Sequence, residues 1–113
     1  MINYASSAKE ADDLVRQIGS DRALAVRADA GSIPDLEMLV SKTVEKFGKI
    51  DILIPNAAVL QMCDLAGTTE EQFDKAMQLN VKGPYFLCQV RRRNLFFLIP
   101  HPSLMGPTAP NLG

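Results

Sequence analysis

The sequence predicts an α/β fold, a parallel sheet with helices on its faces. Short apolar runs alternate with longer segments of helical periodicity, and the joints between them carry helix-capping and turn residues. The chain has 113 residues, 47% of them hydrophobic and 22% charged, enough for one domain with a core. The order is strand, helix, strand, helix, strand, helix with short connections, as parallel strands joined by crossover helices require.

Each element has its own signal. Met1–Tyr4 reads as the stump of a strand. From Ser7 onward Ala8, Ala11, Leu14, Val15 and Ile18 recur at helical spacing, and Gly19 supplies a stop. Ala23–Arg27 is a short strand that ends at Ala28, Asp29 and Ala30. Ser32 can cap a second helix, with Pro34 tolerated in its first turn and Asp35 favourable to the dipole. Leu36, Leu39, Val40, Val44 and Phe47 form its buried stripe, and Gly48 ends it. Ile50–Ile54 is the clearest strand, broken by Pro55. Thr68 with Glu71 has capping-box spacing and opens a third helix, whose apolar face is Phe73, Ala76, Met77, Val81 and Tyr85.

Charge divides the chain at about residue 90. All 13 acidic residues precede it, whereas residues 90–113 hold Arg91, Arg92 and Arg93, no acid and four of the seven prolines. A patterned body over residues 1–90 therefore gives way to a tail, 91–113, expected to be mostly disordered, with Leu95–Ile99 as an aggregation-prone patch and the arginines as a solvated stretch. A net charge of −1 gives no reason to expect nucleic acid. Cys63 and Cys88 have no metal or CxxC spacing and read as free thiols. No signal-peptide core or membrane-length apolar run is present. A soluble, cytoplasmic chain without membrane or metal is expected.

Ligands of open α/β sheets bind beyond the carboxyl ends of the strands, so those ends carry the chemistry. The first is Asn3, Tyr4, Ala5, Ser6 and Ser7. An acidic residue here would hydrogen-bond both ribose hydroxyls of NAD and repel a 2′-phosphate. Small residues, two hydroxyls and a helix N-terminus can instead receive an anion, although Ser6 or Ser7 could simply cap the helix. At the second end Asp29, beside Ala30, could accept from an adenine amino group or terminate a strand. At the third, Ala57 and Ala58 after Asn56 let the backbone approach a flat ligand, and the Asn56 side chain can tie neighbouring strands; an ordinary turn is the alternative. The fourth cluster, Asn80, Val81, Lys82, Gly83 and Pro84, puts poor helix formers inside a helix. Pro84 cannot donate to the Asn80 carbonyl, which frees that oxygen at a kink, structural or functional.

Together these four clusters resemble the short-chain dehydrogenase/reductase family over about residues 2–90. Among its members the chain is similar to fungal naphthol and versicolorin reductases and 3-oxoacyl carrier-protein reductases. The resemblance implies a partial Rossmann fold, a doubly wound parallel sheet, running from the family's second strand through its fourth helix. It implies NADP as cofactor and a small carbonyl or alcohol as substrate. Tyr4, Ala5, Ser6 and Ser7 match the NADP-selecting turn, and Asp29 with Ala30 the adenine position. Pro55, Asn56, Ala57 and Ala58 match the family's Asn-Asn-Ala-Gly stretch, with its first Asn and its Gly replaced. Asn80 matches the catalytic asparagine, whose backbone carbonyl holds a relay water, and Val81 a cofactor contact beside it.

The family's first strand and glycine-rich loop have no counterpart in these residues, nor do its strands after the fourth helix, its catalytic Ser and its Tyr-x-x-x-Lys pair. The expected consequence is a fragment inactive alone, without a pyrophosphate cradle for tight NADP binding. Strands 2 and 3 of the family order could still pair. Strand 4, here Ile50–Ile54, would rearrange or stay exposed, because the absent strand belongs between. Two other readings stand beside this one. The chain could be a noncatalytic protein that pairs with itself or with full-length relatives through the family's fourth helix, Thr69–Gln89. It could also be a gene-model artefact, since a valine codon at Val90 begins with GT, the usual start of an intron.

Overall fold

The structure, a computed structural model, describes residues 1–60 and 62–98. Strand β1 (Ile2–Tyr4) leads into helix α1 (Ala8–Ile18), strand β2 (Ala25–Arg27) and helix α2 (Ile33–Phe47). A long irregular stretch precedes α3 (Glu70–Met77), a π-helical turn (Gln78–Lys82) and α4 (Gly83–Leu98). β1 and β2 pair in parallel, with Ile2 opposite Ala25, Asn3 opposite Val26 and Tyr4 opposite Arg27. The α/β class, the parallel pairing and the first two helices are as the sequence predicts, to within two residues at each end.

Local chemistry explains those two helices. Gly19 and Gly48 take positive φ, 104° and 79°, and their amides bond back to the Val15 and Val44 carbonyls, closing each last turn. The Ser32 hydroxyl accepts from the Asp35 amide at 3.5 Å, and Pro34 sits in the first turn where no amide is missed.

Helix α2 is the centre of the core. Its one side packs Leu36 and Val40 against Leu87 and Val90 of α4, with Ala30, Ile50, Leu53 and Phe86 around them. Leu39 packs with Val26 and Ala28 of the sheet side, joined by Met1, Leu24 and Met38. Leu36 is fully buried and Val40 nearly so. Each such side chain contributes about 1.5–3 kcal/mol by leaving water. On α1, by contrast, Ala11 alone of the predicted stripe is buried, while Leu14 and Ile18 stay about 40% exposed. A two-stranded sheet is too narrow to cover them.

Three expectations are corrected. Ile50–Ile54 forms no strand: it pairs with nothing among the described residues, and Ile52 and Ile54 are 80% and 76% exposed. A strand needs a ladder partner, and apolar pattern alone cannot provide one. The third helix starts one residue late, on Thr69. The Thr69 hydroxyl accepts from the Gln72 amide at 3.2 Å and the Gln72 side chain accepts from the Thr69 amide at 2.9 Å. Thr68 instead donates to the Asp64 carbonyl at 2.9 Å, which leaves Glu71 outside the box. The apolar face of that helix is largely open, with Phe73, Met77, Val81 and Tyr85 all exposed. Finally, the compositional break at 90 does not interrupt secondary structure. α4 continues to Leu98 because no proline intervenes before Pro100. Residues 99–113, including the last residue of the Leu95–Ile99 patch, lie outside the described residues.

Candidate functional site

The two strand ends of the sheet lie side by side, because Tyr4 is opposite Arg27. The turn Ala5–Ser7 follows one strand and Ala28–Gly31 the other. Asn3 spans them, its side-chain amide donating to the Ala28 carbonyl at 2.8 Å, and Arg27 spans them again, its Nε donating to the Ala5 carbonyl at 3.2 Å. Both are side-chain-to-backbone bonds between neighbouring chain segments, so they hold the turns in register at the carboxyl edge of the sheet.

At the first turn Ser7 occupies the N-cap of α1, yet its side chain makes no capping bond. The Ala8 amide goes to the Ser6 carbonyl at 3.0 Å, leaving the hydroxyls of Ser6 and Ser7 exposed and without a protein partner among the described residues. Simple capping therefore does not account for these serines. At the second turn Asp29 is exposed and its Oδ1 accepts from the Gly31 amide at 2.8 Å, an Asx-type turn. Its backbone amide donates to the Asp35 carboxylate at 2.8 Å. The strand-terminating role read for Asp29 is thus real, and its Oδ2 has no hydrogen-bond partner among the described residues. Ala30 beside it is half-buried against the core.

The third and fourth clusters meet through Asn80. Its Nδ2 donates to the Val59 carbonyl and its Oδ1 accepts from the Val59 amide, both at 2.8 Å. An Asn side chain can satisfy a residue's amide and carbonyl together because it carries one donor group and one acceptor side by side. The stretch with exposed Asn56, Ala57 and Ala58 is thereby held from the helix rather than by Asn56, which forms no side-chain bond among the described residues. The kink predicted around Asn80 is a π-helical turn, in which the Gly83 amide reaches back five residues to the Gln78 carbonyl. Such turns interrupt the α-helical ladder and recur at functional sites. Val81 in the same turn is exposed.

Three residues passed over in the sequence complete the frame. Gln78 donates to the Gly31 carbonyl at 3.1 Å and so joins the π turn to the Asp29 turn. Arg91, read as solvated, donates through one terminal nitrogen to the Ile50 and Asp51 carbonyls at 3.1 and 3.3 Å. By sequence pattern Arg27 is only the last residue of a strand, yet it donates to the Ala5 carbonyl. All three are polar side chains acting on distant backbone, which neither periodicity nor a short motif signals.

Two hollows flank these turns. One, about 540 Å³, lies between Asp29, Gly31 and Gln78 and the outer face of α3, with Glu70, Glu71 and Asp74 on its rim. The other, about 670 Å³, separates Met1 and Asn3 of the sheet from Ile50–Ala57, with α2 and Gly83, Pro84 and Leu87 as its floor. Among the described residues there is no group of three or more His, Cys, Asp or Glu that could hold a metal, and no helix is long and apolar enough to cross a membrane.

A family profile described as enoyl-(acyl carrier protein) reductase matches residues 1–97. An uncharacterised oxidoreductase of Thermotoga maritima is 42% identical over 79 residues, which covers 70% of this chain and 30% of the relative. Versicolorin reductase 1 of Aspergillus parasiticus is 34% identical over 98 residues, covering 84% of this chain and 37% of the reductase. Among solved structures, a short-chain dehydrogenase from Burkholderia cenocepacia in complex with NADP superposes with a TM-score of 0.77 at 30% identity, covering 81% of this chain and 38% of that one. The chain thus spans about a third of the length of the curated relatives it matches.

Proposed function

This chain belongs to the short-chain dehydrogenase/reductase family of oxidoreductases, and from that premise we propose that it carries the adenosine-binding and relay-positioning part of an NADP-dependent enzyme. The reaction is hydride transfer between NADPH and a small carbonyl or alcohol. The observation that carries this reading is the pair of strand ends, one with two unengaged hydroxyls and the other with a carboxylate, locked together by Asn3 and Arg27.

The donor set fits the adenosine end of the cofactor. Ser6, Ser7 and the backbone of Tyr4 and Ala5 would hold the ribose phosphate, because they offer donors and no negative charge. Asp29 would accept from the adenine amino group through Oδ2, with Oδ1 engaged by Gly31. Ala30, Ala57, Ala58 and Val81 would pack along the bound molecule, and Asn56 would border it. The nicotinamide supplies the hydride when bound. Asn80 spends both polar atoms of its side chain on Val59, so its part in any relay falls to its backbone carbonyl. No Tyr-x-x-x-Lys pair and no spaced glycine triplet occur in the 113 residues, and we infer that the chain alone turns nothing over.

Titration of the purified chain with NADPH, read by hydrogen exchange, tests this. The expected result is weak binding that protects residues 4–7 and 29–31, without turnover of a carbonyl panel. Turnover by the chain alone would overturn the inactivity, and absence of protection at either turn would overturn the cofactor site.

A second reading has its own observation. Phe73, Met77, Val81 and Tyr85 repeat every four residues and are all exposed, so α3, the π turn and α4 present one apolar stripe. That stripe favours pairing with a second copy or a full-length relative through this helix. Coexpression and pull-down with a full-length reductase, compared with Phe73→Lys, checks it.

A further inference from the structure

We propose that Arg27 is the specificity-determining residue of the adenosine site, the cation that selects a 2′-phosphorylated ribose at the Ala5–Ser7 turn. The inference rests on the reading that this turn receives the cofactor's adenosine end.

Arg27 is the last residue of β2, exposed, and opposite Tyr4 in the parallel register. Its Nε donates to the Ala5 carbonyl at 3.2 Å, which tethers the guanidinium to the turn. Both terminal nitrogens are left without a hydrogen bond or ion pair among the described residues. An arginine that carries its stem over a strand end, spends one donor on that strand's turn and leaves the rest open has the form used to grip phosphate bidentately. The turn itself supplies matching groups, the unengaged hydroxyls of Ser6 and Ser7. Lys9 and Glu10 in the first turn of α1 offset one another, so Arg27 is the cation bonded to this turn, with the Asp29 carboxylate on the neighbouring one.

Selection follows from geometry. A bare 2′-hydroxyl would meet a cation with nothing to neutralise, whereas a 2′-phosphate would meet the guanidinium and two hydroxyl donors in one place. Discrimination therefore comes from a strand neighbouring the turn rather than from the turn alone.

The test uses the whole chain with two probes that need no pyrophosphate cradle, adenosine 2′,5′-bisphosphate and 5′-AMP, titrated by heteronuclear NMR. The expected result is tighter binding of the bisphosphate by about tenfold or more, a preference that shrinks as salt rises. Arg27→Met should bring the two affinities together, and Arg27→Lys should restore part of the gap. Because Arg27 is exposed, both variants should keep the wild-type far-ultraviolet circular dichroism. A bisphosphate preference undiminished in Arg27→Met would overturn this inference and leave the cofactor site standing. Binding of neither probe at residues 4–7 or 29–31 would overturn both.

Discussion

Replacing Gly83 with alanine reverses the sign that helix propensity alone predicts. Gly83 opens α4 with ordinary helical angles, φ −55° and ψ −58°, so an alanine there meets no backbone strain. Exchanging glycine for alanine within a helix is worth about 1 kcal/mol of stabilisation. The added Cβ, however, would lie 2.2 Å from the Ala30 carbonyl oxygen and 3.2 Å from its carbon, whereas real Cβ atoms essentially never come within 3.0 Å of another atom. The obstacle is backbone, so no rotamer change relieves it. Either α4 lifts from the Asp29–Gly31 turn or the turn itself moves. Lifting α4 would loosen Leu87 and Val90 from Leu36 and Val40, and moving the turn would disturb the Gln78 bond to the Gly31 carbonyl. Overpacking of this kind costs about 1–3 kcal/mol, and a backbone obstacle places it at the upper end. After the propensity gain, a net loss of about 2 kcal/mol remains. In urea unfolding followed by circular dichroism, that loss lowers the midpoint by about 1 M at the slope of a small domain. A variant as stable as the parent, or more so, would refute the close packing of α4 on residue 30.

Three further perturbations follow from single bonds. Asn80→Ala removes both links to Val59, and about 1–2 kcal/mol of local stability should go with them; hydrogen exchange should speed at the Val59 amide and leave the amides of α2 unchanged. Arg91→Met keeps an apolar stem but frees the Ile50 and Asp51 carbonyls, and should cost about 1 kcal/mol in urea unfolding; it should also raise protease sensitivity across residues 50–57. Thr69→Ala destroys the capping box of α3 and should cost about 1 kcal/mol of helix stability, whereas Thr68→Ala should cost distinctly less because its hydroxyl caps nothing; reversed order in circular dichroism would return the N-cap to Thr68.

What could be read from sequence was what local chemistry decides. Ser32, Pro34 and Gly48 bracket α2, and Gly19 closes α1, because a cap acts on amides and carbonyls within a few residues of itself. Parallel pairing of the two strands followed from the crossover between them. Ile50–Ile54 is different: its apolar pattern is strong, but pairing depends on a neighbour that local sequence cannot supply. The start of α3 is ambiguous by one residue, since adjacent threonines followed by Glu71 and Gln72 fit two capping boxes equally well. In the tail, an abrupt change of composition suggested the end of regular structure, although nothing in Arg91–Leu98 forbids a helix.

The site residues show the same division more sharply. Asn80, Asp29 and the Ala5–Ser7 turn were visible as unusual residues at strand ends or inside a helix. Their actual roles depend on what holds them, and besides Arg27 on the Ala5 carbonyl that is done by four side chains reaching across long stretches of chain. Asn3 holds Ala28, Gln78 holds Gly31, Asn80 holds Val59, and Arg91 holds Ile50 and Asp51. Each bond joins a regular element to a loop, so the loops that would meet the cofactor are placed by the strands, the π turn and α4. The four anchors are polar residues whose partners are carbonyls 25, 47, 21 and 41 positions away in sequence. Periodicity cannot register a contact whose partner has no side chain in it. For this fold the helices and caps are therefore the legible part, and the carboxyl edge of the sheet becomes legible only when the backbone it serves is in place.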